Sequence, residues 1–160
     1  MNKQDIYNFL SEKNIEYKSV VHPAAYTVED IVSFNLPNPE DGAKNLFLRD
    51  DKKRNYYLLV AKDDRQINIK EFQQKAGTKH LSFASENDLM DKMGLIRGAV
   101  TPFGILNDND AMIQVYIDDY FVNRHMWIHP NDNTASVYIK AEDLVNIIKE
   151  HGNSVEYIKL

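Results

Sequence analysis

The longest unbroken apolar run in this chain, Tyr56-Tyr57-Leu58-Leu59-Val60-Ala61, is six residues long. That is the length of a strand and far too short to cross a bilayer. Elsewhere, similar β-prone runs alternate with stretches whose apolar residues recur at helical spacing. Some strands pair as hairpins and others are separated by helices. The expected fold is therefore α+β: a single domain with a mixed β-sheet.

Composition narrows the field further. A chain of 160 residues with 43% hydrophobic and 27% charged residues can bury a core of its own, so one domain over residues 1–160 is expected. Residues 1–5 carry no apolar stretch of signal-peptide length, and a cytoplasmic protein without membrane attachment is expected. Cysteine is absent, which excludes disulfides, thiolate catalysis and cysteine-ligated zinc. The net charge of -5 argues against gripping nucleic acid by bulk charge. Residues 44–97 nevertheless hold 12 Lys/Arg against 8 Asp/Glu, a local balance of +4 that can meet phosphates.

Along the chain, Ile6, Phe9 and Leu10 mark a helix over residues 3–12, and residues 16–21 form a strand ending at His22-Pro23. Thr27 and Asp30 have capping-box spacing and start a helix through Phe34. Strands follow over residues 44–49 and 55–61, then a helix over 68–76 stopped by Gly77. A short strand at 80–84 leads to a helix capped by Ser85 and Asp88 and stopped by Gly94. Residues 97–106 are the least regular part, with Gly98, Pro102 and Gly104 close together. Strands over 112–117, 126–129 and 136–139, a helix over 142–150 and a last strand over 154–158 complete the pattern.

Common chemistries find few carriers. His125 and His129 are four apart, but on a β-prone segment they stand roughly 13 Å from each other, too far to share a metal. The pairs Asp50-Asp51, Asp63-Asp64 and Asp118-Asp119 do not converge, because neighbours on a strand face opposite ways, and in turns they are solvated. No nucleophile elbow, phosphate loop or dinucleotide fingerprint is present, and no serine stands out beside a histidine. No metal or cofactor is expected. What remains is Lys44, opening the apolar strand Lys44-Asn45-Leu46-Phe47-Leu48, and the small-residue loop Gly98-Ala99-Val100-Thr101-Pro102-Phe103-Gly104. Such a loop lets backbone N–H groups approach a developing oxyanion, and a lysine can anchor a phosphate or carbonyl oxygen. On chemistry alone the plainer account holds: a solvated strand end and a connection.

In order and spacing, these segments resemble the prolyl-tRNA synthetase-associated editing domains. The resemblance runs from His22-Pro23 and Thr27 through Lys44, the Gly98-x-x-x-Pro102 loop and His129 to the last helix and strand. Lys44-Asn45-Leu46-Phe47-Leu48 is similar to the free-standing branch that clears alanine from proline tRNA. The resemblance implies an α+β fold with a curved mixed β-sheet flanked by helices. It also implies hydrolysis of an aminoacyl ester on tRNA without a protein nucleophile, the neighbouring ribose hydroxyl helping to position water. It implies Lys44, Gly98 and His129 as catalytic residues, with Asn45, Thr27, Thr101, Pro102 and Phe103 contacting substrate. The implied partner is the acceptor end of mischarged proline tRNA, with prolyl-tRNA synthetase as an optional donor of substrate. The alternatives are another misacylated tRNA, such as cysteinyl-tRNA(Pro), or a silent module that binds aminoacyl-tRNA or an amino acid.

Overall fold

Three helices begin with the same local device. In the computed structural model, which describes residues 1–160, α1 (Lys3–Glu12), α2 (Val28–Ser33) and α4 (Glu86–Met93) each start at a capping box. Asn2, Thr27 and Ser85 accept the N–H three residues on, and Asp5, Asp30 and Asp88 accept the cap residue's own N–H. Asp thus closes the box as Glu does elsewhere. Helix α3 (Ile69–Ala76) starts at Asn68 and stops at Gly77, and α5 (Ala141–His151) stops at Gly152. Both glycines hold a positive φ that a side chain disfavours.

The strands form two sheets. The larger has the order β4 (Leu81–Phe83), β2 (Ala43–Asp50), β3 (Tyr56–Lys62), β5 (Ile113–Asp118), β8 (Val155–Ile158). Its hairpin half is antiparallel, and β3–β5 and β5–β8 are parallel, so the sheet is mixed as expected. The smaller is antiparallel: β1 (Tyr17–Val21), β7 (Ala135–Lys140), β6 (His125–Ile128). A single bridge, Gly42 to Trp127, links the two. The mixed sheet and flanking helices agree with the fold that the resemblance implies, and the two sheets meet where β2 begins.

Strand β3 shows why the apolar run is unbroken. Tyr56, Leu58 and Val60 face the main core with Ile6, Leu10, Phe103, Ile147 and Ile148, whereas Tyr57 and Leu59 face a second cluster with Phe72 and Tyr116. A strand covered on both sides has no solvent face to fill with polar residues. No helix of the structure is long and apolar enough to cross a membrane.

Candidate active site

A cavity of about 270 Å³ lies at the junction of the two sheets. Its walls come from five distant stretches: Ala25 to Ile31 around α2, the start of β2, Asp63 just past β3, the loop at Gly98, and the end of β6 with the start of β7. Lys44, Asn45, Thr27, Gly98 and His129 all line it. The lysine at the head of an apolar strand and the glycine loop therefore meet at one hollow.

Each of these residues is held by its surroundings. The Lys44 ammonium donates to the backbone carbonyl of Arg65. Arg65 is itself fixed by Asp118, whose side chain is wholly buried; Nε donates to Oδ2 at 2.6 Å and Nη2 to Oδ1 at 3.3 Å. Asp118 also accepts the Lys62 and Tyr120 N–H groups, which satisfies a carboxylate out of water. Asn45 Nδ2 donates to the Val100 carbonyl at 3.2 Å, while its Oδ1 is buried with no partner in the protein. Gly98 has φ +86, and a Cβ there would come within 3.0 Å of the Tyr26 ring. The Ala99 N–H is committed to the Ile96 carbonyl, but those of Gly98, Val100 and Thr101 have no partner. Of these three residues, Gly98 and Val100 line the cavity.

His129 sits one residue past β6 rather than within it. Its Nδ1 lies 2.8 Å from the Ala135 carbonyl, which can only accept, so Nδ1 carries the hydrogen. Burial pushes the His129 ring below the usual imidazole range, against the opposing pull of that carbonyl, and the nearby His22 adds to the lowering. The ring is neutral at physiological pH, and Nε2 is left with a lone pair.

Three expected substrate contacts are not on the wall. Thr101 is fully buried and donates from Oγ1 to the His129 carbonyl at 2.5 Å. Phe103 belongs to the main core, and Pro102 is buried at the start of a 3₁₀ turn, Pro102–Asn107. These residues support the loop and His129 from behind; they do not face the hollow. The sequence reading also overlooked residues that do. Ser136 and Trp127 line the cavity, as does Asp63, whose side chain is only 14% exposed. Burial raises the Asp63 carboxyl above the usual range, with Lys62 and Lys44 pulling it back. Asp63 packs so closely on Gly42 that no side chain could stand there. Nor does the serine–histidine search hold in space: Ser136 Oγ is 2.8 Å from His22 Nε2, although 114 positions separate them.

Residues 22–147 match the family described as the aminoacyl-tRNA editing domain. The chain belongs to that family. As an aminoacyl-tRNA editing domain it is a deacylase, an enzyme that hydrolyses the ester joining an amino acid to tRNA. This editing domain is 43% identical to the prolyl-tRNA editing protein ProX of Acetoanaerobium sticklandii, over 99% of this chain and 97% of that protein. It is 31% identical to prolyl-tRNA synthetase associated domain-containing protein 1 of Mus musculus, covering 87% of this chain and 85% of the other. Among solved structures, the editing fold recurs in a candidate trans-editing enzyme for prolyl tRNA synthetase, with a TM-score of 0.74 at 18% identity over 99% and 96% of the two chains. It recurs also in the hypothetical protein APE2540, with a TM-score of 0.73 at 17% identity over 94% and 95%. At those identities the likeness concerns the fold alone.

Proposed function

We propose that this protein acts in trans on mischarged proline tRNA and removes alanine. The observation that carries the reading is the convergence of Lys44, Asn45, the Gly98 loop and His129 on one small cavity. The name of the 43% identical relative, a prolyl-tRNA editing protein, supports proline tRNA as the substrate. The step from tRNA(Pro) to alanine rests on the likeness of Lys44-Asn45-Leu46-Phe47-Leu48 to the alanine-clearing branch.

In this mechanism Lys44 binds the terminal nucleotide through its phosphate or ribose and fixes the ester's register. The free N–H groups of Gly98 and Val100 donate to the carbonyl oxygen as it gains charge. Water adds to the acyl carbon, positioned with help from the neighbouring ribose hydroxyl, and the ribose oxygen leaves. His129, neutral and fixed in one tautomer, forms a wall of the acyl pocket. In this reading proline is excluded by volume, because an acyl pocket sized for a methyl group clashes with a pyrrolidine ring. One methyl discriminates by only about 1–3 kcal/mol, so glycyl and seryl esters are cleaved more slowly rather than refused.

Single-turnover deacylation of alanyl-, cysteinyl-, seryl- and prolyl-tRNA(Pro) tests the reading. Alanyl-tRNA is expected to be cleaved fastest and prolyl-tRNA to survive. Preference for cysteine would overturn the alanine assignment, and protection of every ester would make the protein a binding module.

A further inference from the structure

The cavity wall has a polarity that its residue names conceal. Ser, Asn and His can each donate or accept, yet Ser136 and His129 turn their donor hydrogens away from the cavity and Asn45 keeps a free acceptor. His22 Nδ1 is 2.8 Å from the Pro23 carbonyl, which only accepts, so in the neutral ring the hydrogen is on Nδ1 and Nε2 is the acceptor. Ser136 must then donate its hydroxyl hydrogen to His22 Nε2, 2.8 Å away. What Ser136 offers the cavity is the lone-pair side of Oγ. His129 repeats the arrangement: Nδ1–H is spent on the Ala135 carbonyl, and the lone pair of Nε2 remains. Asn45 spends an N–H on the Val100 carbonyl and keeps a buried Oδ1 with no partner. The Asp63 carboxylate, 3.8 Å from the Lys62 ammonium, adds a fourth acceptor. An orphaned buried acceptor costs free energy until a ligand supplies a donor.

We propose that this ring of acceptors is a subsite for the substrate's α-ammonium group, with Ser136, oriented through His22, as a specificity-determining residue. The proposal deepens the editing reading and rests on it. An aminoacyl ester carries one cationic group with three hydrogens beside the carbonyl carbon, whereas an acyl ester without it leaves the acceptors unpaired. The same wall refuses an α-nitrogen that has already been acylated, because an amide has a single hydrogen and no charge. Free aminoacyl-tRNA is therefore distinguished from peptidyl-tRNA by chemistry as well as by bulk.

The experiment compares alanyl-tRNA(Pro) with lactyl-tRNA(Pro), in which a hydroxyl replaces the ammonium at nearly the same size. Both are measured with the unmodified protein and with Ser136→Ala. The unmodified protein is expected to prefer the alanyl ester by tenfold or more, the usual scale for a hydrogen bond to a charged group. Ser136→Ala is expected to lower kcat/KM for alanyl-tRNA about tenfold and leave the lactyl rate nearly unchanged, so that the preference collapses. Equal cleavage of both esters by the unmodified protein overturns the subsite. An equal fall on both esters in the variant also overturns it, because a purely structural serine would affect both alike. Failure of the alanine assignment looks different: another side chain is then preferred, and the aminoacyl-over-hydroxyacyl ratio, measured on that pair, is still expected to hold.

Discussion

Burial sets the protonation of His129, and stability follows with a definite sign. Its pKa in the folded protein is below that of the exposed ring, so as pH falls the unfolded chain takes up the proton first. The contribution of the neutral ring is complete above the ordinary imidazole range. It erodes as pH drops through that range towards the folded value. Thermal melts between about pH 8 and 5 are expected to show a steeper loss of Tm in the natural protein than in His129→Gln. Parallel curves would mean that His129 is not the group being titrated. Gly98 makes a second residue-scale case. With φ +86 and Tyr26 3.0 Å from any added Cβ, Gly98→Ala is expected to cost about 1–3 kcal/mol in urea unfolding and to slow deacylation. An alanine variant of unchanged stability would contradict that reading of the loop.

At the scale of elements, β3 carries the largest structural burden, because it separates two cores and pairs with both β2 and β5. Leu58 is fully buried at its centre, and Leu58→Ala is expected to cost about 2–5 kcal/mol, read from the urea midpoint. A loss below 1 kcal/mol, roughly a surface substitution, would mean the core is looser than drawn. Helix α2 is the opposite extreme: none of its residues is buried, and Thr27 holds its first turn by the capping box. Much of this was legible in the sequence because it is local. Thr27 with Asp30, Ser85 with Asp88, and the stops at Gly77 and Gly94 involve residues a few positions apart. The site was legible only in part. Lys44, Asn45, Gly98 and His129 announced themselves by type and order. Asp63, by contrast, reads as one of two solvated turn acids, since only its approach to Gly42 reveals that it faces inward. Asp118 misleads in the same way until Arg65 is brought to it. Thr101, Pro102 and Phe103 were expected at the substrate through the family resemblance, but the 3₁₀ turn after Thr101 carries the chain back into the core. Facing is decided by register against distant segments, which spacing along the chain does not encode.

Across the whole molecule, the net charge of -5 and the basic surplus in residues 44–97 together imply a modest electrostatic grip on RNA. Affinity for tRNA is expected to fall with rising salt, with a shallow slope that reflects few phosphate contacts; indifference to ionic strength would remove the central segment from the interface. The account depends above all on Lys44, which links the start of the main sheet to the cavity between the two sheets. The most direct measurement is therefore single-turnover deacylation of alanyl-tRNA(Pro) by the natural protein and by Lys44→Ala of matched thermal stability. The account predicts a loss on the order of a hundredfold, the scale seen when one preorganised electrostatic contact is removed. A folded Lys44→Ala variant that deacylates at nearly the natural rate would contradict it.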